Sequence, residues 1–143
     1  MIRKIGGWLA LLLSFIVYWL TLEPTTSMWD CSEFIACAAG LQVGHAPGAP
    51  VFMLMGRFFA IFAPDPALVA YMVNLLSALA SAFTIFFLYH TIYWFGQKIL
   101  QRSSSTHSPD FHMWILSGAA FIGAITFAFT DTFWFSAVEG EIY

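Results

Sequence analysis

Three long apolar runs alternate with polar segments along the chain. The runs cover residues 5–22, 67–95 and 113–130, and none of them contains an aspartate, glutamate, lysine or arginine. A helix needs about 20 predominantly apolar residues to cross the hydrocarbon core of a bilayer, so each run predicts a membrane-spanning helix. The pattern therefore predicts the fold class of an all-α integral membrane protein, built as a polytopic helical bundle.

The first run has a second interpretation, because Arg3 and Lys4 precede it as the basic region of a signal peptide would. Two features argue against a cleaved signal. No small-residue cleavage motif follows the run, and the run is longer than the apolar core of a signal peptide, which has about 7 to 15 residues. We therefore predict an uncleaved span.

A long loop, residues 23–66, joins the first two spans, and its pattern of apolar and polar residues predicts two short helices. The first helix is expected from Met28 to Gly40, with Ser27 as its N-cap. Residues 44–50 are rich in glycine and proline, which predicts an irregular loop between the two helices. The second helix, residues 51–63, is too short to span a bilayer, which is typical of an interfacial or re-entrant helix.

The composition agrees with a membrane protein and changes the range of functions to consider. Only 9% of the residues are charged and 60% are hydrophobic, with a mean hydropathy of +0.79. A soluble domain has about 25% charged residues, so this chain has too few to cover a soluble surface. No cluster of basic residues indicates nucleic-acid binding.

Cys31 and Cys37 lie about 240° apart around a helix, which favours two buried apolar side chains over a disulfide.

The few basic residues predict the orientation of the spans. Arg3 and Lys4 precede the first span, and Lys98 and Arg102 lie in the loop 96–112 between the second and third spans. The positive-inside rule places the N-terminus and this loop in the cytoplasm, and the long first loop outside. The external side then receives seven acids: Glu23, Asp30, Glu33, Asp65, Asp131, Glu139 and Glu141.

The first external loop contains a pair of carboxylates, Asp30 and Glu33, which share one face of a helix because they are three residues apart. Two adjacent carboxylates in partly dry surroundings repel each other, so one of them is expected to have a raised pKa. Such a group suits a general base near neutral pH. The alternative is structural, with Asp30 as an N-cap or as an early-turn acid that the helix dipole favours, and Glu33 as its solvated neighbour.

Other polar residues of the external side are candidates for substrate binding. Arg57 lies in the middle of an apolar helix, where it either snorkels to the interface, pairs with Asp30 or Glu33, or binds the phosphate of a lipid-linked substrate. His45 lies in the glycine- and proline-rich loop, where binding residues are often found, although a single histidine favours the interpretation as an ordinary loop residue. The remaining candidates are the acids near the end of the chain, Glu139 and Glu141.

Taken together, three stretches resemble a known family. They are YWLTLEPTTSMWDCSEFIACAAGLQVGHAPGAPVF, GRFFAIF and FWFSAVEGEIY. The combination of W-D-x-x-E-F, G-H-x-P-G-x-P and V-E-G-E-I-Y resembles the bacterial membrane proteins of domain-of-unknown-function family 2723. That family is similar to the transmembrane protein O-mannosyltransferases of glycosyltransferase family 117.

The resemblance implies a GT-C architecture, in which the first external loop holds short helices and the catalytic acid. It implies a membrane glycosyltransferase that moves a mannose-like sugar from a polyprenyl-phosphate donor to serine or threonine of exported proteins. Asp30 is then the expected base and Glu33 its partner or substitute, while no metal ligand is assigned and a divalent metal requirement stays open. The expected location is the bacterial inner membrane, crossed several times.

Two functions of other classes remain as alternatives. A transporter or channel subunit would use the two carboxylates to relay protons or cations, but such proteins carry acids inside their spans, and these three spans contain none. A non-catalytic membrane assembly subunit would need neither acid. Because the sequence stops at Tyr143 without a turn signal or a polar tail, we expect it to be the N-terminal part of a longer protein.

Overall fold

The structure is a computed structural model of the chain, and it describes residues 2–27, 30–46, 48–102 and 109–140. The described residues form α-helices and one short 3-10 helix, and none of them lies in a β-strand, which confirms the all-helical prediction. The 3-10 helix covers Pro66–Leu68. The α-helices are α1 (Ile2–Leu20), α2 (Cys31–Gly40), α3 (Pro50–Ala60), α4 (Val69–Arg102), α5 (Pro109–Ala128) and α6 (Asp131–Val138).

Two of the described helical stretches are long and apolar enough to cross a membrane: Pro66–Gln101, which contains most of α4, and Phe111–Ala128 in α5. Only 39% and 22% of their most apolar windows are buried, whereas the core helix of a soluble protein is mostly buried. The apolar stretch of α1, Lys4–Leu20, is shorter, so the predicted first span stays a prediction. These helices associate the chain with a membrane.

The ends of the long helices differ from the predicted spans. α1 ends at Leu20 rather than at residue 22. At this end, the hydroxyl and the amide of Thr21 both donate to the Val17 carbonyl, at 2.8 and 3.0 Å. α4 continues through the predicted loop as far as Arg102, and α5 already begins at Pro109. Glutamine, lysine and arginine are good helix formers, so the polar residues after position 96 indicate where the apolar surface ends and not where the helix ends.

The chain divides into two compact units, with the division falling inside α1 and α4. The first unit contains Met1–Ile16 and Ala82–Thr130. In it, the ring of Trp8 packs on that of Phe86, with 4.9 Å between ring centroids. The outward side of its helices is apolar, as a lipid-facing surface requires, with exposed side chains that include Leu9, Leu12, Phe87, Trp94, Trp114 and Ile122.

The second unit contains Val17–Ser81 and Asp131–Tyr143, and it includes all the described site candidates. Its core forms where α2 packs between α3 and the start of α4. One cluster of side chains joins α2 to α3: Phe34, Cys37, Ala38 and Met53, with Phe52 against them. A second cluster joins α2 to α3 and α4: Cys31, Ile35, Ala60 and Val73. Both cysteines are buried and unbridged, as predicted.

Gly56 allows α3 to approach α2 closely, and this contact gives a first prediction. A Cβ at Gly56 would lie 2.8 Å from the Ala38 Cβ, closer than two carbon atoms can pack. Gly56→Ala should therefore lower the thermal stability of the detergent-purified protein, by about 1 to 3 kcal/mol of overpacking. Gly118→Ala is the matched control, because nothing lies within 4 Å of a Cβ there, and it should be neutral or slightly stabilising. Equal melting temperatures for both variants would contradict the close contact.

Candidate functional site

Asp30 stands at the N-cap of α2 and has a helical backbone, with φ −76° and ψ −11°. Its carbonyl accepts the first helical hydrogen bond, from Phe34 N at 2.9 Å. The predicted N-cap, Ser27, is wrong, because the helix begins at Cys31. Asp30 occupies the N-cap position, as the structural interpretation held, but among the described residues its side chain makes no capping hydrogen bond. The Asp30 carboxylate is instead available at the helix end for other contacts.

Glu33 lies in the first turn of α2 and binds His45 through two hydrogen bonds. The backbone N–H of His45 donates to Glu33 Oε1 at 2.8 Å, and the ring nitrogen Nδ1 lies 3.1 Å from Glu33 Oε2. The imidazole also packs on the ring of Phe34, with 5.5 Å between centroids, and Phe34 is buried. The histidine ring is thus held by a carboxylate along one edge and by an aromatic ring on one face.

The other edge of the His45 ring faces Asp30. Its Nε2 atom lies 3.6 Å from Asp30 Oδ2, so the imidazole stands between the two carboxylates. The exposed fraction of the three side chains is 40% for His45 and 43% for each acid, which leaves the cluster open to substrate and water. The structure therefore brings together Asp30, Glu33 and His45, which the sequence analysis had assigned to separate roles.

The pKa of Glu33 is lowered from its ordinary value. The largest cause is the hydrogen bond from the His45 backbone N–H, followed by the one from the His45 side chain. Hydrogen bonds donated to a carboxylate favour its charged form. Glu33 is therefore not the member of the pair with a raised pKa, because His45 donates hydrogen bonds to its carboxylate. Glu33 is ionised at neutral pH and acts as an acceptor of hydrogen bonds.

The route of the chain after α2 determines where His45 lies. Leu41 follows the helix in a left-handed conformation, φ 50°, and Gln42 N bonds back to Cys37 O at 2.8 Å. Ala49 is also left-handed, φ 32°, immediately before α3. Such conformations cost energy in residues other than glycine and are concentrated at functional sites. The two turns reverse the chain, so that the loop between them reaches the beginning of α2.

Arg57 lies away from the carboxylates. Its Nη1 atom donates to the carbonyl of Ala39 at 2.6 Å, in the last turn of α2. A helix C-terminus has unpaired carbonyls and a partial negative charge, so it favours a cation. Asp30 is at the other end of this helix, about 14 Å away by helical rise. Of the pairings considered for Arg57, those with Asp30 and Glu33 are not formed.

Glu139 holds the segment that leads into α2. The Ser27 hydroxyl donates to Glu139 Oε2 at 2.8 Å in a partly buried position. The amide of Glu23 also donates to the carbonyl of Val138, at 3.2 Å. These bonds connect the chain after α1 to the end of α6, so Glu139 helps to hold the segment that leads into α2. Glu141, the other predicted acid of this segment, lies outside the described residues.

Asn74 is a site-supporting residue that was not among the candidates of the sequence analysis. It is fully buried in α4, and its Nδ2 atom donates to the carbonyls of Glu23 and Thr25 at 2.8 and 3.0 Å. It therefore fixes the chain that connects α1 with Asp30. The sequence feature that could have indicated this role is a side-chain amide inside a predicted membrane helix. A polar side chain there is energetically unfavourable unless it has a hydrogen-bond partner.

The donor atoms of the cluster also suit a divalent cation. One ligand atom each from Asp30, Glu33 and His45 lie within 4.8 Å of one another. Two carboxylates and an imidazole are the donors found in magnesium, manganese and zinc sites. In the arrangement described, Glu33 lies nearest to Nδ1 of the imidazole and Asp30 nearest to Nε2.

Comparison with known proteins gives a consistent result. The family described as "Protein O-mannosyl-transferase TMEM260 N-terminal domain" matches residues 30–143. The chain is 25% identical over 130 residues to the protein O-mannosyl-transferase tmem260 of Dictyostelium discoideum, and 28% identical over 127 residues to its namesake in Mus musculus. These alignments cover 90% and 89% of the chain.

The chain spans only 14% and 15% of the lengths of these two relatives. No solved structure matches it. The matched region begins at Asp30 and includes every described residue of the cluster, as well as Arg57 and Glu139.

Proposed function

The chain belongs to the family of protein O-mannosyl-transferase TMEM260 N-terminal domains, and from this premise we propose that it carries the catalytic acid of a membrane mannosyltransferase. The donor is a polyprenyl-phosphate sugar, and the acceptor is a serine or threonine hydroxyl of an exported protein. The observation that carries the proposal is the cluster of Asp30, Glu33 and His45, exposed at the start of α2 in a chain whose relatives are named O-mannosyl-transferases.

Asp30 is the proposed base, because its carboxylate is exposed and is not used to cap α2 among the described residues. An acceptor hydroxyl has a high pKa and needs a carboxylate that takes its proton during attack on the anomeric carbon. Glu33 is less suited to this role, since its two oxygens already accept hydrogen bonds from His45. Glu33 therefore acts as the partner of the base.

Arg57 and Glu139 have proposed roles around this base. Arg57 uses one of its five N–H groups on Ala39, so the exposed guanidinium retains donors for the phosphate of the lipid donor. Glu139 and Glu141 are proposed on the acceptor side, where Glu139 also fixes Ser27. No nucleic acid has a place in this function.

The architecture we propose is of the GT-C type, with the similarity to domain-of-unknown-function family 2723 and glycosyltransferase family 117 as its support. The location that follows from that similarity is a bacterial cytoplasmic membrane. The basic residues Arg3, Lys4, Lys98 and Arg102 support a cytoplasmic N-terminus and an external cluster.

A transfer assay tests the function directly. The full-length protein is purified in detergent and supplied with polyprenyl-phosphate mannose and an acceptor peptide that contains serine and threonine. We expect mannose to become attached to a hydroxyl of the peptide, as mass spectrometry of the product would detect. Transfer from a nucleotide sugar alone, or no transfer from any polyprenyl-phosphate sugar, would contradict the proposal and leave an assembly subunit as the better interpretation.

The topology is open to a separate test. A cysteine in place of Thr26 should react with a membrane-impermeant thiol reagent in intact cells, whereas a cysteine in place of Ser104 should react only after the membrane is permeabilised. The charge asymmetry of the loops is the physical reason. The wild-type chain gives the background, because Cys31 and Cys37 are buried. The reverse labelling pattern would place the cluster in the cytoplasm and contradict an external active site.

A further inference from the structure

We propose that His45 is a positioning residue that bridges the two carboxylates and receives, through Asp30, the proton of the acceptor hydroxyl. The inference rests on the proposed function and deepens it, because it assigns a place for the proton after Asp30 has taken it. The observation that carries it is an imidazole with a different carboxylate at each of its nitrogens, 3.1 Å from Glu33 and 3.6 Å from Asp30.

The hydrogen bonds of Glu33 determine which nitrogen of His45 carries the hydrogen in the neutral ring. Ionised Glu33 accepts hydrogen bonds and donates none, so its partner Nδ1 must carry the hydrogen. Nε2 is then an acceptor, and it faces a second acceptor, the Asp30 carboxylate. Two acceptors do not form a hydrogen bond, which agrees with a separation of 3.6 Å, longer than the hydrogen-bond range. The pair is arranged to share a proton that arrives during the reaction.

The proposed step balances without any further reactant. The acceptor oxygen forms a bond to the anomeric carbon as the bond from that carbon to the donor phosphate oxygen breaks, and the phosphate leaves with the electron pair. The hydroxyl proton passes to the Asp30 carboxylate and from there to His45 Nε2. The imidazolium that results lies between two carboxylates, which stabilise its charge. Because 40% of the imidazole is exposed, the proton then passes to water and resets the site.

Among the described residues, the titratable and charged groups near His45 lie on α2 and α3. On α2 the facing groups are Asp30 and Glu33, and the Cys37 thiol lies close to the preceding residue, Gly44. On α3 the charged group is Arg57, which is engaged with the Ala39 carbonyl.

A metal ion is the competing use of these three residues, since one ligand atom from each lies within 4.8 Å of the others. In the structure Glu33 contacts Nδ1 and Asp30 lies nearest to Nε2, so each nitrogen of the imidazole has a carboxylate with which it can exchange a proton. The test therefore includes metal as an outcome that overturns the proposal.

The experiment measures kcat, KM and their pH dependence in the full-length enzyme for His45→Gln and His45→Ala. Glutamine can still donate a hydrogen bond to Glu33 but cannot accept a proton at neutral pH, so kcat should fall about 10²-fold with little change in KM. The limb of the pH profile that belongs to an imidazole should disappear. Added imidazole should restore part of kcat in His45→Ala and none in Asp30→Asn. His112→Gln is the control and should behave as wild type.

Three outcomes would overturn the role of His45. These are a wild-type kcat and pH profile in His45→Gln, a failure of imidazole to restore activity in a folded His45→Ala enzyme, and a wild-type activity that a chelator abolishes and Mn²⁺ or Mg²⁺ restores. The proposed function fails in a different way, since it is lost if Asp30→Asn keeps full transfer or if the wild-type enzyme transfers no mannose. An inactive Asp30→Asn beside a fully active His45→Gln would reject this inference alone.

Discussion

Asp30→Asn should reduce mannose transfer by the full-length protein about 10²- to 10⁴-fold, the range that the loss of a general base produces. Asparagine keeps the shape of aspartate and its ability to occupy a helix N-cap, but it cannot accept a proton at neutral pH. The Asp30 side chain makes no capping hydrogen bond among the described residues, so the fold should tolerate the change. The measurement is initial rate against acceptor concentration, with the melting temperature of the variant measured in parallel.

Asp65→Asn is the matched control for this prediction. Asp65 is another exposed acid of the same loop, and its Oδ1 accepts a hydrogen bond from Ala67 N at 2.8 Å, which an asparagine oxygen also accepts. Its transfer rate should stay near that of wild type. Glu33→Gln should have an intermediate effect, because the amide can still contact His45 but lacks the negative charge that orients it. If Asp30→Asn retains wild-type transfer, the cluster is not the active site.

Asn74→Asp should cause the largest loss of stability that the described residues predict. The substitution preserves the size of the side chain but replaces the N–H donors with a carboxylate, which then faces the carbonyls of Glu23 and Thr25 in a fully buried position. A buried carboxylate without donors costs on the order of 3 kcal/mol or more. We expect a lower melting temperature in detergent, and a loss of transfer at temperatures where the variant is still folded, because the chain that leads to Asp30 loses its anchor.

Asn74→Leu and Ser77→Ala separate the causes of this effect. Leucine fills the same space and leaves the two carbonyls unpaired without adding charge, so it should cost about 1 to 3 kcal/mol. Ser77 is also buried in α4, and its replacement by alanine should cost less than either change at Asn74. The expected order of stability is therefore Ser77→Ala, then Asn74→Leu, then Asn74→Asp. An Asn74→Asp variant as stable as Ser77→Ala would show that the amide donors do not hold the loop.

The sequence by itself determined the kind of helix and its approximate position. A run of apolar residues is enough to predict a long helix, because the signal lies within each turn, and α4 and α5 cover most of the predicted runs 67–95 and 113–130. The two short helices of the first loop were also predictable, since proline at residue 50, and proline and glycine around both helices, limit the backbone locally. Their ends differ by up to three residues, because capping depends on contacts beyond the turn.

Only the tertiary structure decided which polar residues meet. The sequence analysis paired Asp30 with Glu33 through helical spacing and considered Arg57 as their counterion, but His45 lies between them and Arg57 bonds to Ala39. Glu33 and His45 are 12 residues apart, and Ser27 and Glu139 are 112 apart. Periodicity reports neighbours within about four residues. Beyond that range, the left-handed turn at Leu41 and the packing of α2 against α3 determine where each side chain lies, and no local pattern encodes that geometry.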